Sequence, residues 1–478
     1  MIVRAKRVAC CGLMGLLSVV GLAAAGNGLR LVEAARNRDS AAVVALLKQE
    51  ADIHAVQPDG ATALHWATHW NDVATADLLI RAGAPVNAAN VYGVTPLWLA
   101  CVNGSVAMVR TLLKAGARVD AALTSGETPL MAAARTGNAE VIDTLLVGGA
   151  NINAREEARG QTALMWALAE RHLAAIRTLI AHGADIMSGS ASGFTPLMFA
   201  AREGDIEAAR LLLDRGATVN AAAADGSTAL LVATVRGHVG LAHFLLGKQA
   251  DPNAAAAGYT PLHWASGTWE TNTTYDYRFT TGEWAAISGI PSREEKLTLL
   301  RALLAHGADV NARVTKNPPR YGFTLYTQKY VLGATPFYLA SVVGDTEVMR
   351  VLATAGGDPR LGTNDATTPL IVAAGRARVE EETRVPEKNA LEAVKLTLEL
   401  GNDINAANDV GETALHAATL AGLDTIVQYL AEKGANLKAK TKAGKTPLAT
   451  AEGTIVAAQL VTRPSTAALL RKLGGAGQ

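Results

Sequence analysis

The sequence contains few cysteines and almost no excess of charge of either sign. Of 478 residues, three are cysteines, and Cys101 is the one that lies beyond residue 25. A lone thiol cannot close an internal disulfide, so we expect Cys101 to be a small buried residue in a chain held by its core. The 44 basic and 43 acidic residues almost cancel. This balance argues against a phosphate-neutralising surface, so no nucleic-acid partner is expected.

Recognisable catalytic patterns are also missing. The sequence has no Gly-x-Ser-x-Gly elbow, no phosphate-binding loop, no His-Glu-x-x-His zinc motif and no Cys-x-x-Cys-His haem motif. Ten histidines are scattered along the chain. We therefore predict a protein that is not an enzyme, with no catalytic residues, no cofactor and no metal site.

Long apolar runs are absent after the first 25 residues. Three basic residues within positions 4–7 precede an apolar stretch, Val8 to Ala25, that ends in three alanines. This pattern is typical of a secretory signal peptide cleaved after Ala25. The alternative is an uncleaved anchor in the inner membrane. We therefore expect a periplasmic or secreted protein with no membrane span after cleavage.

One short motif recurs through the rest of the chain. It runs from Gly60 to Ala67 as Gly-Ala-Thr-Ala-Leu-His-Trp-Ala, and most copies are 32–34 residues apart. A glycine two places before the threonine suits a turn with positive φ, and Ala366 alone breaks this rule. Threonine suits a helix N-cap, and proline suits the position after it. The motif threonines are Thr62, Thr95, Thr128, Thr162, Thr195, Thr228, Thr260, Thr335, Thr368, Thr413 and Thr446.

Eleven copies in register closely resemble the ankyrin-repeat family, in which each unit is a β-turn followed by two antiparallel helices. The resemblance implies an all-α solenoid of about 12 helix-turn-helix units with β-turn tips and a concave surface that binds other proteins. It also implies that His65, His263 and His416 make structural hydrogen bonds to the turn. The remaining aromatic residues of the inner helices have two interpretations, packing between repeats or anchors for a ligand: Trp66, Trp98, Trp166, Phe199, Trp264 and Tyr338.

Three insertions interrupt the repeats. The first two, at about 267–291 and 313–332, are both inserted in the Thr260 repeat and are rich in aromatic residues. Alternation along residues 275–279 indicates a strand, so this insertion is compatible with a small β-hairpin. The third, at about 376–388, is mostly charged and is predicted as a solvated loop or helix extension. The acidic pairs at 156–157 and 294–295 are likewise expected to face solvent.

These boundaries divide the chain as follows: signal peptide 1–25; N-terminal capping repeat 26–57; regular repeats 58–255; repeat with two insertions 256–332; repeats with a charged insertion 333–441; C-terminal capping repeat 442–478 with a final helix at 465–473.

The predicted function is a non-catalytic protein–protein interaction scaffold of the cell envelope or secreted space. It is expected to act as a monomer that binds a protein or peptide through the concave surface and the aromatic insertions. Alternatives are a carbohydrate-binding or enzymatic function carried by the aromatic insertion, or an architectural spacer. The predicted partner-binding residues are His69, Trp70, Tyr92, Phe194, Trp269, Tyr275, Tyr277, Phe279, Trp284, Tyr321, Phe323 and Tyr326.

Overall fold

A computed structural model describes residues 27–267, 292–316, 331–376, 385–456 and 459–475. The chain divides into two compact units, one ending at Asp185 and the other beginning at Ile186. Each unit is built from helix pairs in which a short inner helix follows a turn and an outer helix returns antiparallel to it.

The first unit contains five helix pairs. Inner helices contact the next inner helix along the chain, and outer helices contact the next outer helix. The helices are α1 Asn27–Arg36, α2 Ser40–Lys48, α3 Ala63–His69, α4 Val73–Arg81, α5 Pro96–Asn103, α6 Val106–Lys114, α7 Pro129–Thr136, α8 Ala139–Val147, α9 Ala163–Ala169 and α10 Leu173–Ala181.

The second unit continues the same pattern and adds a two-stranded antiparallel sheet. Its elements are α11 Pro196–Glu203, α12 Ile206–Asp214, α13 Ala229–Val235, α14 Val239–Gly247, α15 Pro261–Ser266, α16 Arg293–Ala305, α17 Pro336–Val343, α18 Thr346–Thr354, α19 Pro369–Ile371 running into a π-helical turn Val372–Arg376, α20 Glu387–Glu399, α21 Ala414–Ala421, α22 Asp424–Glu432, α23 Pro447–Glu452, β1 Thr454–Val456, β2 Gln459–Val461 and α24 Pro464–Gly475.

The motif residues act as predicted at the start of the inner helices. In α5, the Thr95 side chain accepts a hydrogen bond from the backbone N–H of Trp98 at 3.2 Å, and Pro96 occupies the first turn. The next six positions, 96–101, are all buried. A helix that is apolar on every side forms only inside a stack, so neighbouring repeats rather than intrinsic propensity stabilise it.

Backbone conformation at the turns follows the predicted glycine pattern. The ten glycines that precede the motif threonine all have positive φ, and Ala366, which replaces glycine in one repeat, has φ 59°. At Gly126 the turn also passes close to the next one, since a Cβ there would lie 2.9 Å from the Glu157 nitrogen. Glycine is thus required at this position both for its φ and for the space.

Asparagine side chains join successive repeats, including those separated by insertions. Asn253 donates from Nδ2 to the Gly307 carbonyl at 2.8 Å and accepts from the Asp309 N–H at 2.6 Å. Asn311 repeats this arrangement with Gly356 and Asp358. Each asparagine satisfies groups left unpaired where an outer helix ends.

Glu156 was predicted to face solvent, but the structure buries it. Its carboxylate is buried and accepts hydrogen bonds from the backbone N–H groups of Ala158, Arg159 and Gln161 at 2.7–3.1 Å. This turn is one residue longer than its neighbours, so it exposes extra N–H groups to be satisfied, and the carboxylate satisfies them. The prediction was wrong because only the folded turn brings these donors together.

Both described ends of the charged insertion are engaged with the repeats. The Arg376 side chain is largely buried, forms an ion pair with Glu412, and lies 3.5 Å from Asp365. Glu387 accepts from the Thr425 N–H at 3.1 Å and caps α22, whose own N-cap residue, Leu423, makes no side-chain cap bond. Residues 377–384 lie outside the described residues, so the predicted solvated loop stays a prediction for that segment.

The β-hairpin that the structure describes lies in the last repeat. Strands β1 and β2 separate α23 from α24 and pair with Ile455 opposite Leu460. The hairpin predicted for residues 275–279 falls outside the described residues. The last helix, predicted over 465–473, extends to Gly475.

Candidate protein-binding surface

A cluster of aromatic rings lies at the end of helix α3. Trp66 and His69 meet edge to face with centroids 5.7 Å apart, and His69 meets Trp70 at 4.7 Å. Helical spacing explains the contact of Trp66 with His69, because residues three apart share one face. Trp66 is buried, whereas 41% of Trp70 is exposed. We call these three residues and the two arginines described next the Trp70 cluster.

Two arginines of the preceding repeat stack on this cluster. The guanidinium of Arg36 lies 5.4 Å from the Trp66 ring centre, and that of Arg38 lies 5.7 Å from the Trp70 ring centre. The Trp70 Nε1 donates a hydrogen bond to the Arg36 carbonyl at 2.9 Å. The indole is therefore held in one orientation before any partner arrives.

Charge in the Trp70 cluster comes from the arginines. Partial burial lowers the pKa of the His69 imidazole below its ordinary value, which favours the neutral ring near pH 7. Arg36 lies 3.7 Å from the exposed carboxylate of Glu33, while Arg38 forms no ion pair within the described segments. The surface is thus aromatic and cationic, which suits apolar and acidic groups of a partner.

A second polar group in the same unit centres on Glu127. Its carboxylate is buried and forms an ion pair with Arg135 at 3.1 Å, and the Arg135 guanidinium lies 5.2 Å from the ring centre of Trp166. Burial raises the pKa of the Glu127 carboxyl, opposed by Arg135 and by the neighbouring Trp98 indole. Arg135 already pairs with Glu127 and stacks on Trp166. We therefore interpret this group as a structural contact between repeats.

The inner-helix aromatic residues are mainly core. Phe199, Trp264 and Tyr338 are buried, and the last two belong to one hydrophobic cluster with Tyr259 and Leu231. Trp66 and Trp98 are buried as well, and Trp166 is partly exposed. Packing between repeats is therefore the better of the two interpretations for most of these residues.

The predicted partner-binding residues fall into three groups. Trp70 and Tyr92 are exposed and His69 is half-buried at the surface. Phe194 is 2% exposed and packs edge to face on Phe199 at 5.3 Å, so a partner cannot reach it in this conformation. The others lie outside the described residues and stay predictions: Trp269, Tyr275, Tyr277, Phe279, Trp284, Tyr321, Phe323 and Tyr326.

The three histidines of the motif are structural, as the resemblance implied. His65 accepts from the Thr62 N–H at its Nδ1 and donates from Nε2 to the Val94 carbonyl of the next repeat at 2.9 Å. His263 and His416 make the equivalent contacts. Burial lowers the pKa of all three, and that of His263 falls to about 4. These rings are neutral connectors between repeats.

Family comparisons agree with this architecture. The family described as "Ankyrin repeats (3 copies)" matches residues 31–123, 118–190, 197–273 and 385–462, which together cover more than half of the chain. A single "Ankyrin repeat" matches residues 257–314. The chain belongs to the ankyrin-repeat family. The predicted all-α repeat fold is confirmed, and ankyrin repeats generally mediate protein–protein interaction.

Individual relatives are similar over limited lengths. "BRCA1-associated RING domain protein 1" from Caenorhabditis elegans is 41% identical over 83 residues, which is 17% of this ankyrin-repeat chain and 10% of the relative. The chain therefore spans about a tenth of that protein. A crystal structure of the human ASB11 ankyrin repeat domain is 31% identical, covers 46% of this chain and 98% of that domain, and has a TM-score of 0.42.

The described residues contain no group of three or more histidines, cysteines, aspartates or glutamates placed to hold a metal ion. Within the same ranges, no helix combines the length and apolarity needed to cross a bilayer. Cys101 is fully buried, and burial raises the pKa of its thiol. It is therefore a core residue and a poor nucleophile.

Sequence reasoning missed the arginines of the Trp70 cluster. Arg36, His69 and Arg135 occupy the same repeat position, 33 or 66 residues apart. Arg38 does not occupy this position. Aligning the repeats by this period and reading that single column would have found Arg36 and Arg135, because adjacent repeats bring the same position together. Their stacking on Trp66 and Trp166 depends on the tertiary packing.

Proposed function

We propose that this ankyrin-repeat protein is an exported, non-catalytic scaffold that binds a protein or peptide partner through the first unit. Support for export is the basic and apolar start of the sequence, and support for the scaffold role is the family. Ankyrin-repeat proteins are typically non-catalytic scaffolds. The site of binding rests on one observation, the exposed and oriented indole of Trp70 with an arginine stacked on it.

The partner segment we propose carries an apolar side chain next to an acidic one. The apolar side chain would cover the open face of Trp70, and a carboxylate would pair with Arg38, which has no internal acid partner in the described ranges. Tryptophan and arginine are the residues most often found at interface hot spots. Since Trp70 is already ordered, binding loses little side-chain entropy.

Direct titration with the partner tests this proposal. The exported protein is captured from its own cells under native conditions, the co-purifying protein is identified and purified, and its affinity is measured by calorimetry. We expect Trp70→Ala to weaken binding by about 2 kcal/mol, or roughly thirtyfold, and Arg38→Gln to weaken it less. Val147→Ser is the control, because Val147 is 77% exposed but lies on the outer helix α8.

Equal affinity for the Trp70→Ala variant and the wild-type protein would overturn the choice of site. If deleting residues 268–290 and 317–330, which spares the core residue Val314, abolishes binding instead, the aromatic insertions are the contact region. Export is tested separately by cell fractionation and intact mass. A mature protein that still contains residues 1–25 contradicts cleavage and favours the membrane-anchored alternative.

A further inference from the structure

The C-terminal repeat and the end of the repeat before it are strongly basic in an otherwise balanced chain. Residues 433–475 contain eight basic residues and one acidic residue, Glu452, although the whole chain has a net charge of +1. Five lysines of this segment are exposed and form no ion pair within the described residues. They are Lys433, Lys438, Lys440, Lys442 and Lys472. This segment therefore presents positive charge to solvent that no described acidic side chain neutralises.

Two large apolar side chains project from the same repeat. Ile455 of β1 and Leu460 of β2 are cross-strand partners, and they are 74% and 71% exposed. Because partners directly opposite in an antiparallel pair point to the same face, the two side chains form one apolar patch. Apolar side chains that adjoin one another at the surface are candidates for contact with a protein or a membrane.

The base of the hairpin is fixed to the repeat by cations. The Lys445 Nζ donates to the Gly453 carbonyl at 2.7 Å, immediately before β1. Two residues after β2, the Arg463 N–H donates to the Ala451 carbonyl at 2.7 Å, and its Nε donates to the Leu420 carbonyl at 2.8 Å. The apolar pair thus projects from a base that holds two positive charges.

We propose that this hairpin and the exposed lysines of residues 433–475 dock on an anionic lipid bilayer. Two apolar side chains are too small a patch for a second copy of the chain, since a stable interface buries about 800 Å² on each partner. They suit a bilayer surface, where Ile455 and Leu460 enter the acyl boundary while the lysines remain among the headgroups. Lysine is a point charge on a flexible stem, so it needs no fixed partner geometry.

Vesicle binding by the full chain tests this docking surface. Binding is measured by co-sedimentation with vesicles of phosphatidylglycerol mixed with phosphatidylcholine and with vesicles of phosphatidylcholine alone. Removing both charges in Lys440→Gln/Lys442→Gln should weaken binding to the anionic vesicles about 25-fold, or about fivefold per charge. Ile455→Ser/Leu460→Ser should weaken it about tenfold or more. High salt should remove the effect of the lysines.

Two controls keep the comparison specific. Val147→Ser removes an apolar side chain of similar exposure from the first unit and should leave vesicle binding unchanged. The basic and apolar residues 1–25 are identical in every variant, so differences between the two double variants and the wild-type protein report residues 433–475. Matching thermal unfolding curves establish that each variant is folded.

Three outcomes overturn the proposal. Equal binding of all variants assigns membrane attachment to residues 1–25, and equal binding to both vesicle types removes the role of lipid charge. If a polyglutamate peptide binds with dependence on Ile455 and Leu460 while vesicles do not bind, the surface is a site for acidic peptides. Loss of binding in the two double variants, with the Val147→Ser control unchanged, supports the bilayer.

Discussion

Gly126 and Gly149 allow the effect of backbone conformation to be separated from that of packing. Both have positive φ, 80° and 91°. A Cβ on Gly126 would lie 2.9 Å from the Glu157 nitrogen and 3.2 Å from the Glu156 Cα, whereas a Cβ on Gly149 would have no atom within 4 Å. Alanine at each position therefore gives two variants that share the backbone strain and differ in crowding.

The expected magnitudes follow from this difference. An alanine with left-handed φ costs about 1–2 kcal/mol, so Gly149→Ala should lose about that much stability. Gly126→Ala should lose roughly 1–3 kcal/mol more, because the crowding atoms are mostly backbone and the neighbouring turn must move. Gly126→Val should lose more again, since a β-branched side chain is still less compatible with this conformation.

Hydrogen exchange followed by mass spectrometry measures these losses locally, and urea unfolding measures them for the whole chain. Local data are needed because a repeat array loses cooperativity and does not give one free energy of unfolding. Protection should fall mainly over the turns around residues 123–127 and 156–161 in the Gly126 variants. Equal losses in the two alanine variants would refute the crowding argument. No loss in either would refute the argument from φ.

Three further predictions concern other contacts between repeats. His172→Asn should raise the urea midpoint of the first unit, with a local gain of about 1 kcal/mol in hydrogen exchange. Asn138 at the same position both caps its helix and bonds the preceding repeat, while His172 makes no cap bond. A lower midpoint would show that the bond from His172 to the Arg135 carbonyl matters more. Ala366→Gly should raise stability by about 0.5–1 kcal/mol, because it removes the backbone strain of an alanine with φ 59°. An unchanged melting temperature would contradict this prediction. Burial lowers the pKa of His263 from 6.5 to about 4. Below pH 6.5 the unfolded chain therefore takes up a proton that the folded chain does not. The free energy of unfolding is fully present above pH 6.5 and falls by about 3 kcal/mol as the pH drops to 4. His263→Leu should reduce this pH dependence; leucine is the residue at the equivalent position, 231, of the preceding repeat. An identical pH profile for the variant would contradict the assignment of this pH dependence to His263.

The sequence was sufficient for the turns and the starts of the inner helices because those depend on local chemistry. Gly126 adopts positive φ, and Thr95 caps its helix through residues three apart in the chain. The contacts of the motif histidines were implied by the resemblance to ankyrin repeats, and the structure shows the same contact at all three positions. By contrast, the side chains of Glu156 and Arg376 were placed in solvent by their charge alone, but Glu156 is buried and the Arg376 side chain is only 11% exposed. Their donors and acceptors lie in turns or repeats that only packing brings within reach.

For the candidate surfaces, too, the sequence determined some features and the tertiary structure decided others. Sequence by itself determined that Trp70 lies at the variable end of an inner helix and that residues 433–475 contain six lysines. Tertiary structure decided that Arg38 stacks on Trp70, and that Phe194 turns inward. It also decided that Ile455 meets Leu460 on an open hairpin. Periodicity assigns each residue a position within its own repeat, whereas burial and pairing depend on what the adjacent repeat presents at that position.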